Sequence, residues 1–368
     1  MESMVEQLRK TFAGKNVFLT GHTGFKGSWM LKMLHLLDAK VTGYALDPEH
    51  DTDLYHLIAG DDLCDSVISD LREPQALTNA VTKSKPDFVF HFAAQPLVKR
   101  SYQIPSETFE VNAIGTANLL DAVRLLEKPC SVVLITTDKV YENQEWHYPY
   151  RESDRLGGYD PYSASKACAE LVIASYRNSF FNVKEYPSHQ KGIAVTRAGN
   201  VIGGGDWSEN RLIPDLAKAF GTNEELIVRN PDSLRPWQHV LEPLVGYLML
   251  AEALTKDPVA FGSPFNFGPL ANDAIPVVKM VELAIEAWGG GAYKILSEHN
   301  APHEAGLLKL DISNTMEMLG WRPTMGAEET VTWTIDWYKH FYQGEDVAAF
   351  TEKQIVSFLA KMIQKDTK

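Results

Sequence analysis

Apolar positions recur along this chain with two different periods. Asn16-Val-Phe-Leu-Thr20, Asp87 to Phe92 (DFVFHF), Ser131 to Thr136 (SVVLIT) and Gly192 to Arg197 (GIAVTR) are short, nearly continuous apolar runs. That is the pattern of strands buried on both faces. Lys40 to Leu46 reads as a second strand, and Val67-Ile68 lies in a short third one followed by Asp70. Between the strands, Ser28 to Asp38, Pro74 to Lys83, Glu107 to Leu126 and Ser163 to Arg177 space their apolar residues at helical intervals. Residues 1–15 read as an amphipathic arm or helix leading into the first strand. Strands alternating with helices predict an α/β fold with a parallel sheet covered on both faces.

After Asn200 the pattern changes. Glycines, prolines and tryptophans crowd residues 203–237, which predicts long loops there. Leu241 to Leu254 returns to helix and Pro264 to Gly268 to a short strand. Further helical segments fall at Val277–Trp288, Ser313–Leu319 and Glu328–Tyr342. These predict a smaller, mostly helical C-terminal lobe capping the sheet.

Composition narrows the function. Of 368 residues, 45% are hydrophobic and 23% charged, an ordinary globular balance. Lys+Arg 35 against Asp+Glu 48 gives a net charge of −13, which argues against a general binder of nucleic acid or anionic membrane. Cys64, Cys130 and Cys168 are far apart, odd in number and match no metal motif. His303-Glu304 has no second ligand at suitable spacing, so no metal is expected. The polar start and the short apolar stretches lead us to expect a cytoplasmic protein.

Candidate chemistry begins at Gly21-His-Thr23-Gly24-Phe25-Lys26-Gly27, a G-x-x-G-x-x-G loop between a strand and a helix. Glycines there let the backbone turn tightly and approach a pyrophosphate, with the helix N-terminus facing the anion. An acid, Asp47, follows the second strand twenty residues beyond Gly27. A carboxylate there can accept from ribose hydroxyls and would repel a 2′-phosphate; with no Arg or Lys at 45–49, NAD is expected over NADP. The same Asp47-Pro48 would serve equally as a simple turn. Asp70 can accept from the adenine amino group, or cap a helix before Arg72. His22 shapes the loop or faces the phosphates.

Tyr162-Ser-Ala-Ser-Lys166 places a phenol and an ammonium one helical turn apart. A nearby cation stabilises phenolate and makes a tyrosine usable as a base. Thr137, just past SVVLIT, can hydrogen-bond an oxygen undergoing oxidation, and Asn112 is placed to support Lys166 through a water. An isolated pair of this kind is otherwise a common solvent-facing feature.

Glycine loop, acid, Asn, Thr and Tyr-x-x-x-Lys in this order resemble the extended short-chain dehydrogenase/reductase family, from the loop to at least residue 325. The resemblance implies a Rossmann-type doubly wound sheet. Its NAD-binding part would comprise residues 1–200 plus about 238–270, and its substrate lobe about 201–237 plus 271–350, with a C-terminal helix or tail over 351–368. It adds Leu71, Ala93 and Ala94 to the cofactor wall. Members acting on nucleotide sugars include epimerases, dehydratases and decarboxylases. Sugar-nucleotide 4,6-dehydratases carry Thr-Asp-Glu where this chain has Thr137-Asp138-Lys139. Together with Gly24 to Trp29, Asn200 to Trp207 and Arg235 to Glu242, the segment is similar to the 4,6-dehydratase branch that acts on CDP-glucose. On that resemblance Tyr162, Lys166 and Thr137 serve oxidation at C4 of the hexose, and Asp138 is the acid toward the C6 hydroxyl. Lys139 stands where glutamate would take the C5 proton, which leaves that step open among a neutral lysine, a relay and a solvated residue; Tyr141 and Glu142 follow closely.

The same resemblance places Asn200, Arg211, Arg235 and Trp207 against the nucleotide sugar, although both arginines would also suit surface ion pairs, and Trp207 and Trp237 would also suit core. His91 and His239 read as structural. Competing expectations are a nucleotide-sugar 4-epimerase, which needs no acid at 138, a 4,6-dehydratase acting on another nucleotide hexose, and a non-enzymatic NAD-binding regulator. A homodimer or homotetramer is expected through the helices Glu107–Leu126 and Ser163–Arg177.

Overall fold

The strands β1 (Asn16–Thr20), β2 (Lys40–Ala45), β3 (Asp65–Ile68), β4 (Phe88–His91), β5 (Cys130–Ile135), β6 (Lys191–Ala198) and β7 (Pro264–Phe267) form one parallel sheet. Its order is β7-β6-β5-β4-β1-β2-β3. The computed structural model describes residues 3–270, 273–296 and 307–366. His303 and Glu304 lie outside the described residues.

Alternation along each strand feeds two cores. Val17, Leu19, Phe88, Phe90, Val133 and Ile135 face one, with the helices Phe25–Leu36 and Leu241–Lys256. Phe18, Val89, Val132 and Leu134 face the other, with the helices Pro74–Ser84, Gly115–Arg124 and Pro161–Ser179. This explains why the central strands read as continuous apolar runs: β4, β5 and β6 are buried at every position. The edge strand β3 is half-exposed. Strand order reverses between β1 and β4, which opens a crevice beyond their carboxyl ends, the usual ligand position in such sheets.

Two expectations need correction. The helix predicted over Glu107 to Leu126 is interrupted: Pro105–Phe109 runs into a π-helical turn, Glu110–Ile114, and then into Gly115–Arg124. And residues 203–237 are not all loop. They include the helix Leu212–Gly221, which buries Ile213, Leu216, Ala217 and Phe220, and the strand Leu226–Val228, which pairs in parallel with Tyr293–Ile295. The helices Val277–Trp288, Ser313–Leu319 and Ala327–Tyr342 complete the helical C-terminal part. The last helix, Val347–Asp366, returns to the helix Phe25–Leu36, where Lys32 Nζ meets Glu352 at 2.9 Å. Among the described residues no helix is long and apolar enough to cross a membrane.

Candidate active site

The glycine loop closes on itself. Gly21 has φ +74°, and a Cβ there would lie 2.7 Å from the Ala93 nitrogen on the neighbouring β4 loop. A Cβ on Gly27 would lie 1.9 Å from the Gly21 carbonyl oxygen. Gly24 caps the helix Phe25–Leu36 without a side-chain hydrogen bond, so its first N–H groups stay available to an anion. Thr23 Oγ1 donates to the Leu46 carbonyl (2.9 Å), which sets the end of β2 and the exposed Asp47 beside the loop. Asp70 accepts from the Arg72 backbone N–H and guanidinium, which hold its carboxyl below the usual range. It does not cap the helix Pro74–Ser84. Leu71 is buried, Ala93 and Ala94 half-buried. Glycines that nothing larger can replace, an uncapped helix start and an acid beyond β2 together fit a dinucleotide.

Gly27→Ala is expected to destabilise the protein by about 2–3 kcal/mol or more, because the clash is with backbone. Thermal unfolding checks it, and an unchanged midpoint would mean the loop is looser than the geometry shows. His22, in the same loop, turns inward instead of toward an anion. Its Nε2 lies 2.8 Å from Ser66 Oγ, burial pulls its pKa down to about 4, and its ring fills the space a side chain at Gly43 would need.

A second cluster assembles at the carboxyl end of β5. Thr137 Oγ1 donates to Asp138 Oδ1 (3.0 Å) and accepts from the Lys139 N–H (3.3 Å), so it caps the short turn Asp138–Val140. The Tyr162 hydroxyl reaches Thr137. Helix Pro161–Ser179 presents Tyr162 and Lys166 to this turn; Asp160 caps it, and Ser101 Oγ accepts from the Tyr162 N–H at 3.1 Å. Lys166 is 5% exposed, and its Nζ donates to the Ile135 carbonyl (3.0 Å). Asn112, in the π-helical turn, holds its neighbours directly. It accepts from the Gln95 N–H (2.9 Å) and donates to Ser165 Oγ (2.8 Å), one residue from Lys166.

Burial dominates the electrostatics. It pushes the Tyr162 phenol up to about 12, against pulls from Thr137 and Arg211. It pulls the Lys166 ammonium down to about 8, against the Glu170 carboxylate. It raises the Asp138 carboxyl, against Lys139, Thr137, Arg235 and Lys26. Lys26 is brought to about 8 by burial and by Arg211, with Asp138 opposing. So this loop lysine faces the middle of the site, a placement that spacing alone does not reveal.

Arg211 Nη1 bonds the buried Asp206 (3.0 Å), whose backbone carbonyl accepts from the Tyr338 hydroxyl at 2.6 Å. Asn200 and Arg235 are half-buried near the end of β6; Gly199 lies against Asp138, where a Cβ would sit 2.9 Å from Oδ2. A small cavity beside it is lined by Gly199, Pro236, Gly268 and Lys309. Trp207 packs against Tyr338, Phe341 and Tyr342 of the helical lobe. Trp237 is 8% exposed. His91 and His239 are buried, and burial brings both down to about 3. Sequence reasoning did not single out Ser101, Ser165, Asp206, Glu170 or Arg197, although all but Ser101 stood in stretches already noted. Among the described residues no group of His, Cys, Asp or Glu could hold a metal ion.

Comparison with known proteins places the chain. A family model described as GDP-mannose 4,6 dehydratase matches residues 18–334. The chain is 47% identical over 347 residues to the CDP-glucose 4,6-dehydratase of Salmonella typhimurium, covering 94% of this chain and 97% of that one. It is 24% identical to the UDP-glucose 4-epimerase of Mycoplasma pneumoniae, covering 89% and 97%. Its fold is that of the Streptomyces venezuelae dTDP-glucose 4,6-dehydratase, crystallised with NAD (TM-score 0.75, 21% identity, 89% and 98% covered).

Proposed function

Because the chain belongs to the GDP-mannose 4,6 dehydratase family, we propose that it is an NAD-dependent hydro-lyase converting CDP-glucose to CDP-4-dehydro-6-deoxyglucose and water. The observation that carries this reading is Asp138. It is a buried acid whose pKa is raised, held by Thr137 beside the Tyr162 hydroxyl, where a 4-epimerase would need none. The 47% identity to a CDP-glucose 4,6-dehydratase supports the substrate.

The residues that would hold NAD are Gly21, Thr23, Gly24, Phe25, Lys26 and Gly27, with Asp47 at the ribose, Asp70 and Leu71 at the adenine, and Ala93, Ala94, Asn112, Tyr162 and Lys166 along the crevice. When bound, NAD supplies a hydride acceptor at C4 and returns the hydride at C6. Tyr162 takes the C4 hydroxyl proton at its phenolic oxygen, while Thr137 orients that hydroxyl and the Lys166 ammonium stabilises the phenolate. With Thr137 and Arg211 already opposing burial the phenol stands at about 12, so phenolate forms only with the Lys166 ammonium at hand to stabilise it. A ketone at C4 acidifies the C5 proton. Lys139, half-buried beside Asp138, stands at the position to receive it, and does so only as the neutral amine; as the ammonium it can only orient a water that passes the proton to another base. The Asp138 carboxyl then gives its proton to the departing C6 hydroxyl, which its raised pKa favours. Arg211 and Arg235 hold the diphosphate, with Asn200 against the sugar and Trp207 bracing the arginine loop.

The enzyme is read as cytoplasmic. Exposed Ile114 (55%) and Leu171 (59%), on the π-helical turn and the Tyr162 helix, support pairing of subunits into a homodimer or homotetramer. One assay tests the function. The protein is incubated with NAD and, separately, CDP-, dTDP-, UDP- and GDP-glucose, and each nucleotide sugar is followed by mass spectrometry. Loss of one water from CDP-glucose is expected. An isomer of unchanged mass would instead make the protein an epimerase, and no reaction with any sugar would favour a regulator.

A further inference from the structure

Behind the candidate catalytic residues lies a buried ion pair that the mechanism above does not use. Glu170 and Arg197 are each 3% exposed in their side chains. Arg197 Nε donates to Glu170 Oε1 at 2.8 Å and Nη2 to Oε2, a bidentate pair. The Thr136 hydroxyl, one residue before Thr137, donates to the same Glu170 Oε1 at 2.7 Å. From its other end Arg197 Nη1 donates to the Tyr141 hydroxyl (2.8 Å) and to the Glu152 carbonyl (2.9 Å). Tyr141 closes the turn that carries Asp138 and Lys139, and its hydroxyl donates to Asn266 Oδ1 on β7 at 2.7 Å. Glu170 stands one helical turn beyond Lys166 on the same helix. Two charges out of water are costly, and such a pair does little for stability that apolar side chains would not do as well.

We propose that the Glu170–Arg197 pair is a positioning device, fixing the helix that carries Tyr162 and Lys166 against the turn that carries Thr137, Asp138 and Lys139. It grips the first through Glu170, the root of the second through Thr136, and its exit through Tyr141. The inference rests on the dehydratase reading of those five residues. It also has an electrostatic consequence. Lys26 on the glycine loop and His91 on β4, which burial keeps neutral, face Lys166; the Glu170 carboxylate works against burial to keep Lys166 charged. Loss of Glu170 therefore lowers the Lys166 pKa, and the alkaline limb of the rate profile, where Lys166 loses its proton, moves to lower pH.

The experiment measures kcat and KM of the full chain with NAD over roughly pH 6 to 10. It compares wild type, the double variant Glu170→Gln/Arg197→Gln, which leaves no lone buried charge, and Thr136→Val, which removes only the hydroxyl. For the double variant we expect kcat lower by about 30-fold or more, KM within about threefold, and an alkaline limb lower by about one pH unit. For Thr136→Val we expect a kcat loss of about threefold to tenfold with the limb in place. A folded double variant with wild-type kcat and limb overturns the proposal. If the double variant does not fold, a wild-type kcat in Thr136→Val overturns it instead. A wild type inactive on CDP-glucose strikes the dehydratase reading, and the same profiles are then taken on the nucleotide hexose it does convert.

Discussion

Tyr162→Phe is expected to lower kcat by about 10²–10⁴-fold while NAD affinity stays within about threefold. The reason is local. The phenolic oxygen contacts Thr137, whereas the ring is carried by the helix Pro161–Ser179, which is anchored independently by Asp160 and by Ser101 at the Tyr162 N–H. Removing the hydroxyl leaves that frame intact and takes away the atom proposed to receive the C4 proton. Steady-state dehydration and equilibrium NAD titration on the same preparation check it. A variant that still turns over at the wild-type rate would move the base away from Tyr162.

Asp138→Asn separates the two halves of the reaction. Asparagine keeps the shape and the bond from Thr137 Oγ1, but it has no proton to give to a leaving hydroxyl. Loss of water should fall by about 10²–10⁴-fold. Oxidation at C4 and proton loss at C5 do not need the acid, so CDP-glucose recovered from heavy water should carry deuterium at C5. Mass spectrometry reads both. Water loss at the wild-type rate would place the acid elsewhere; absent exchange would mean that Asp138 also serves C5. The pH sign follows from the raised carboxyl pKa: the acid acts while protonated, so its contribution is present at low pH and declines as pH rises through that value.

Local patterns made the sheet legible. A strand such as β5, with all six residues buried, announces itself as an apolar run, and a glycine that must approach another backbone, as Gly27 does, announces itself by spacing. The Tyr162–Lys166 pair was visible for the same reason, since one helical turn fixes it. What stayed hidden depended on distant partners. The π-helical turn at Glu110–Ile114 has no helix-breaking residue; it exists where Asn112 reaches Gln95 and Ser165. The helix Leu212–Gly221 was obscured by the glycines and prolines around it. Lys26 was read only as part of the cofactor loop, and its direction toward Asp138 and Arg211 is a property of the folded crevice. Glu170 and Arg197 lie in separate elements, and no short motif joins them.

The place of β7 in the sheet has a consequence for synthesis. This strand pairs with β6, yet the chain makes it only after the Arg211 and Arg235 segments and the helix Leu241–Lys256. A nascent chain that has not yet released Phe267 from the ribosome carries β6, an eight-residue strand buried along its whole length in the finished protein, as an open edge. Unpaired apolar edges are templates for wrong pairing. Tyr141 then also lacks its Asn266 acceptor, so the turn bearing Asp138 is not yet secured. The protein is thus exposed to misassembly late in translation, and the turn that carries Asp138 is among the last parts to set.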